Sequence, residues 1–270
     1  IRIAVGLTAM IILAQIHPDN FRLFSPFLYF FGILLLVLTI FFGVGKSADR
    51  WLDFYILRFQ PSELMKLFVP LMIASFYSDK ALPPKLKNLS IAVIIIVVPA
   101  LLIAKQPDLG TALLITSSGV IAIFLSGIKL AHIFLGTALV IGAIPLLWSF
   151  MYEYQKSRVL SFFSPNTDAL GTGYHLAQSK ISLGSGGLFG KGYMNGTQSQ
   201  LDFLPENHTD FIFSAFGEEF GFIGVIILIS LYVLVVLRGM SISIKATDNF
   251  SRILSATLIL TIFLYVLVNV

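Results

Sequence analysis

Asp210 follows His208 by two residues where the stretch PENHTDFIFSAFGEE turns from a polar run into an apolar one, and these fifteen residues hold four of the chain's 14 carboxylates. An acid beside an imidazole at such a boundary can take a proton from a reacting hydroxyl. The structural alternative is an acid at a helix start, stabilised by the positive end of the helix dipole. Glu218 and Glu219 lie two turns deeper, roughly 12–13 Å along the axis at 1.5 Å per residue. At about 100° per residue, Glu218 is about 80° and Glu219 about 180° around the helix from Asp210, so the three cannot form one cluster. The two glutamates are expected to tie this helix to its neighbours or to a polar cavity.

Three further groupings could do chemistry. In QPSELMK, Glu63 and Lys66 stand three residues apart on one helix face, close enough to pair. Ionisable groups at membrane depth favour a functional reading, and a structural ion pair is the alternative. In AKQPDLGT, Lys105 and Asp108 flank a Pro107 turn, and Asp108 suits the N-cap of a helix starting at Leu109. In YQKSR, Lys156 and Arg158 could snorkel to an interface or bind a diphosphate.

The glycine-rich ISLGSGGLFGKGYMNGTQ invites a phosphate-loop reading, but Gly192 follows Lys191 where a Walker loop needs Ser or Thr. A dinucleotide fingerprint starting at Gly184 fails because position 189 is Phe. Turn chemistry explains these glycines, with backbone amides and Lys191 lining an anionic site as the alternative.

The elements that must carry these groups are membrane helices. Of the 270 residues, 57% are hydrophobic and 12% charged, about half the charge of an ordinary soluble domain at roughly 25%, and the mean hydropathy is +0.90. The absence of cysteine excludes disulfides, thiolate metal sites and a cysteine nucleophile. The net charge of +4 fits basic membrane loops, and no nucleic-acid partner is expected. Eight apolar runs of spanning character occupy 3–16, 23–45, 61–78, 88–104, 109–128, 130–152, 211–237 and 253–270. Such continuous runs predict an all-α polytopic bundle rather than a barrel. The chain opens and closes inside apolar runs, so it is expected to be a single integral membrane domain, 1–270, cut at both ends.

One set of short loops holds Arg22, Lys80, Lys85, Lys87, Lys129, Arg238, Lys245 and Arg252, against Lys46, Arg50, Arg58 and Lys105 in the other. The first set is therefore cytoplasmic, which puts the long loop 153–210 on the outer face. Within it, Tyr174, Leu176, Ile181 and Leu183 recur at helical spacing among Gln178, Ser179 and Lys180, as in a helix lying along the membrane. No internal repeat supports an inverted-repeat transporter.

RFQPSELMKL, AKQPDLGTALL, the run GYHLAQSKISLGSGGLFGKGYMNGTQSQLDFLPENHTDFIFSAFGEEFGFIG, WLD and PPKLKN together resemble the SEDS family of bacterial peptidoglycan glycosyltransferases, closest to its rod-shape-determining branch. The likeness covers essentially the whole chain. It implies an inner-membrane enzyme of about ten helices that polymerises lipid II during cell elongation. The family's further helix at each end lies outside these 270 residues.

The resemblance places the essential acid at Asp210, the embedded acid and base at Glu63 and Lys66, and the turn carboxylate at Asp108. His208 and Glu218 are expected in support, and Lys105, Arg158, Lys191 and Gln198 near substrate or diphosphate. A divalent cation, Mg or Mn, is implied without assigned ligands. The implied partners are a class B penicillin-binding protein, against helices 211–237 and 253–270, and other elongation proteins. From an α-linked diphosphate to a β-linked glycan a single inverting displacement suffices; one base is enough, because diphosphate leaves without the acid a glycosidase needs. The rival functions are a lipid II flippase, with its essential acids at depth, and a non-catalytic scaffold with none.

Overall fold

The computed structural model describes residues 2–44, 50–53, 58–151, 156, 172–200 and 211–269. Helices α1 Arg2–Ala14, α2 Pro18–Phe42, α3 Pro61–Ser78, α4 Leu86–Lys105, α5 Leu109–Leu125 and α6 Leu130–Phe150 come first. They are followed by α7 Thr172–Ser185, α8 Thr197–Gln200, α9 Ile212–Lys245 and α10 Asn249–Asn269. Each expected apolar run is helical over most of its length. Four helices, α2, α4, α9 and α10, are long and apolar enough to cross a membrane by length and composition. Among the described residues the helices are joined by a short hairpin before α3, β1 Leu52–Asp53 against β2 Arg58–Phe59 with Leu52 opposite Phe59, and by an isolated antiparallel bridge between Val44 and Trp51.

Boundaries move where polar residues extend a helix beyond its apolar run. The α2 helix starts at Pro18 rather than Leu23, because proline suits the first turn and the His17 side chain accepts the Asp19 amide. The α9 helix continues to Lys245, eight residues past the apolar run. The α10 helix starts at Asn249, where Asp248 accepts the Ser251 amide at 2.7 Å.

The chain divides into two compact units, Ile1–Phe134 with Arg238–Ile262, and Leu135–Leu237 with Phe263–Val270. The first packs α2, α3, α4 and α5 around Leu36, Met65, Val69, Ile73, Ile103 and Ile115. Close approach depends on missing side chains: a Cβ on Gly32 would strike Met65, and one on Gly119 would strike Ile96. Two buried hydroxyls find backbone carbonyls, Thr39 at Leu35 (2.7 Å) and Tyr29 at Ile95 (3.0 Å), as a dry interior favours. Outward-facing positions are apolar too, with Phe27, Phe41 and Phe42 all largely exposed. That surface suits lipid rather than water.

Candidate active site

The first unit gathers polar side chains at the entries to α3 and α5. Gln60 is the N-cap of α3, and its Nε2 donates to Ser62 Oγ (2.8 Å) and to Asp108 Oδ2 (2.9 Å). Asp108 caps α5, accepting the Thr111 amide at 3.2 Å, and is only 8% exposed. Arg50 completes the knot: its guanidinium donates to the Pro107 carbonyl (2.6 Å) and the Gln106 carbonyl (3.3 Å) and lies 3.7 Å from Asp108 Oδ2. Gln106 in turn donates to the Leu36 carbonyl at 2.9 Å, tying in α2. The expected N-cap role of Asp108 is what the geometry shows, with a side-chain clasp around it.

One turn into α3, Lys66 Nζ reaches both oxygens of Glu63, at 2.7 and 2.8 Å. Glu63 sits in the first turn, where the dipole favours a negative charge. Its side chain is 55% exposed and that of Lys66 18%. Lys105 is exposed in the last turn of α4, a few residues before Asp108.

In the second unit the glycine-rich segment folds against a break in α9. Gly221 leaves the helical region (φ 68°, ψ −169°), which frees backbone groups on either side. The glycine-rich segment takes them up: the amides of Lys191 and Gly192 donate to the carbonyls of Glu218 and Glu219, both at 3.0 Å. The amides of Phe222 and Ile223 donate to the carbonyls of Gly187 (2.9 Å) and Leu188 (3.2 Å). Gly190 (φ 79°) is required on two counts, its left-handed backbone and the Glu219 carbonyl that a Cβ would strike. A broken helix is tolerable in an apolar environment when its loosened groups find such partners.

Glu218, fully buried, sits at that junction. Five groups donate to its carboxylate: Lys191 Nζ (2.7 Å), Thr197 Oγ1 (3.1 Å), the Gln198 amide (3.1 and 3.3 Å), Ser182 Oγ (3.2 Å) and Ser185 Oγ (3.5 Å). Burying a carboxylate is tolerable only with pairing of this kind. The anion that the glycine-rich segment holds, through Lys191 and a backbone amide, is thus one of the chain's own. Gln198 Oε1 is buried with no hydrogen-bond partner, an acceptor left over at the same place.

Comparison with known proteins decides the family. The family model described as cell cycle protein, covering FtsW, RodA and SpoVE, matches residues 1–270. The chain belongs to the FtsW/RodA/SpoVE family. The peptidoglycan glycosyltransferase MrdB of Escherichia coli strain K12 is 49% identical over 271 residues, covering all of this chain and 73% of that protein. The probable peptidoglycan glycosyltransferase FtsW of Trichlorobacter lovleyi is 35% identical, over 93% of this chain and 67% of that protein. A solved structure, of the structural coordination of polymerization and crosslinking by a peptidoglycan synthase complex, is 25% identical with a TM-score of 0.82 over 99% of this chain and 75% of that one. The fold is also that of the Thermus thermophilus rod shape determining protein RodA, with a TM-score of 0.69 at 24% identity over 98% of this chain and 71% of that one.

Of the expected site residues of this FtsW/RodA/SpoVE chain, Glu63 joins Lys66, Asp108 joins Gln60 and Arg50, and Glu218 joins Lys191 and Gln198. Asp210, His208 and Arg158 lie outside the described residues. Among the described residues no three His, Asp or Glu gather where they could hold a metal ion. Gln60, Arg50, Thr197, Ser182 and Ser185 are site residues that sequence reasoning passed over. Gln60 had a signal, its place directly before the Pro61 helix start, whereas the hydroxyls around Glu218 had none.

Proposed function

We infer that this chain is a peptidoglycan glycosyltransferase that polymerises lipid II into β-1,4 glycan strands, with Asp210 as the general base. The observation that carries the reading is the match of the whole chain to the FtsW/RodA/SpoVE family, with a peptidoglycan glycosyltransferase 49% identical along it. Asp210 takes the proton from the acceptor sugar's 4-hydroxyl as that oxygen attacks the donor's anomeric carbon. The bond from that carbon to the diphosphate breaks, and the lipid diphosphate leaves with both electrons. Developing charge on it calls for fixed cations, a role for Lys105 and Arg158. Gln198 Oε1, buried and unpartnered, fits a substrate hydroxyl. Glu63 and Lys66 take the place of the family's embedded acid and base, and His208 precedes Asp210 by two residues in the sequence.

A magnesium or manganese ion, when bound, would add positive charge at the leaving diphosphate. The described carboxylates do not form a cage for it: Asp108, Glu63 and Glu218 each already face a cationic side chain.

The reading carries a topology with it. Eight spans cross the bacterial inner membrane, and 153–210 lies outside, with α7 along the interface. A class B penicillin-binding protein packs against 211–237 and 253–270. A flippase would instead rely on acids at depth, and the fully buried Glu218 is held by five donors. Presenting purified lipid II to the full-length protein and its partner in detergent separates these readings, since detergent abolishes leaflets. Glycan chains longer than one disaccharide are expected, fewer with a divalent-cation chelator; no polymer from a folded, partner-bound preparation would contradict the enzyme.

A further inference from the structure

Phe220 to Leu237 is the longest uncharged stretch of α9, bounded by Glu219 and Arg238. At 1.5 Å per residue it spans about 27 Å, close to the roughly 30 Å of a bilayer's hydrocarbon core, so these two charges mark the edges of that core. The glycine-rich segment is fastened at the Glu219 edge and passes inside it. The amides of Lys191 and Gly192 meet the carbonyls of Glu218 and Glu219, at the edge, whereas the carbonyls of Gly187 and Leu188 take the amides of Phe222 and Ile223. Ile223 stands about 6 Å inside the Glu219 level. The Tyr193 ring packs near that of Phe220, with centroids 6.3 Å apart. On this dip Leu188, Phe189, Tyr193 and Met194 are exposed, Phe189 most of all at 80%. Ile223, Ile226 and Ile227 are exposed as well, so the four side chains lie at the level of a helix whose own outer side chains face lipid.

We propose that residues 187–194 form a re-entrant hairpin that inserts Leu188, Phe189, Tyr193 and Met194 into the lipid leaflet at the N-terminal end of α9, with bilayer acyl chains as the partner of this surface. The proposal needs α9 to cross the bilayer, as its length and composition allow, and uses neither the base nor the substrate. Irregular backbone survives at membrane depth only where its polar groups are bonded. At its deepest point the hairpin gives its carbonyls to the amides that the break at Gly221 sets free, so the dip and the break require each other. Its one charge, Lys191, is paired with buried Glu218 at 2.7 Å rather than left to the lipid. Leu188 and Phe189 bring no polar side-chain atom to the deepest level. Tyr193, nearer the edge, carries a hydroxyl that can reach the headgroups, as aromatic residues do at membrane interfaces. A depth of about 5 Å is that of amphipathic segments lying in the headgroup and acyl boundary.

The test uses full-length protein in phospholipid liposomes without lipid II, alone and with the penicillin-binding protein, any cysteine outside these 270 residues being replaced. Because residues 1–270 hold no cysteine, Phe189→Cys, Tyr193→Cys, Ile227→Cys and Lys180→Cys each take a single nitroxide label. Collision of the label with oxygen, which concentrates in hydrocarbon, is compared with collision with a water-soluble nickel complex. The expected oxygen-to-nickel ratio at 189 and 193 is several-fold above that at exposed Lys180 of α7 and near that at Ile227, with or without the penicillin-binding protein. A ratio at 189 equal to that at 180 would place the hairpin in water and overturn the proposal. Loss of access to both reagents, in either preparation, would show a protein surface over the hairpin and overturn it too. In the unmodified protein, a phospholipid with a photoreactive group in its acyl chain should label 187–194 as it labels 222–237. Labelling of 222–237 alone would contradict insertion whatever the variants show.

Discussion

Asp108 and Glu218 have their oxygens occupied, by Gln60, Arg50 and the Thr111 amide in one case and by five donors in the other. A base must offer a lone pair to a substrate, so these two acids hold structure. Replacing Asp108 with Ala should lower stability by about 1–3 kcal/mol, from a lost cap and the lost contacts to Gln60 and Arg50. Thermal unfolding in detergent would show this, with Asp108→Asn milder because it keeps an acceptor for the cap. Glu63 differs, being more than half exposed and paired within one helix turn. Glu63→Ala should change stability by less than about 1 kcal/mol, yet reduce polymerisation clearly; normal activity would contradict a role for Glu63 in the reaction. This pair was legible because a spacing of three on a helix is a geometric statement. The Lys191–Glu218 contact, 27 residues apart, needed the fold.

The helices were legible for the same kind of reason, since a run of some twenty apolar residues has few other structures open to it. The break in α9 was not. FGEEFGFIG reads as continuous helix, and only the backbone of the glycine-rich segment, arriving from residues 186–192, makes a left-handed Gly221 tenable. Gly190→Ala should therefore be costly, by about 1–3 kcal/mol for backbone strain alone, before any collision with the Glu219 carbonyl. A drop in melting temperature much larger than that of Gly136→Ala, whose Cβ would meet nothing, would check this. At the start of α10, burial would raise the Asp248 carboxyl, but hydrogen bonds from the Ser251 amide and hydroxyl outweigh it and hold it below its ordinary 3.8. A depressed carboxylate stabilises above its unfolded pKa and loses that contribution as pH falls through the folded one. Asp248→Ala should cost about 1 kcal/mol near neutral pH, and the difference from the parent should vanish in acid below its folded pKa.

The described residues are apolar both in the core and on the outer faces, unlike those of a soluble protein. Among the described residues the acids with several partners, Asp108 and Glu218, lie at a helix entry and beside a helix break. Hydropathy foretold the surface, and the family resemblance foretold the enzyme, whereas the residues that fasten the candidate site were visible only in three dimensions. The central claim is that Asp210 is the base of a glycan polymerase. The measurement that meets it most directly is polymerisation of purified lipid II by the full-length, partner-bound protein and its Asp210→Asn variant, with lipid II binding measured on both. The expected result is polymer from the parent and a loss of roughly a hundred-fold or more in the variant at undiminished lipid II binding. Equal polymer from the two proteins would contradict the account.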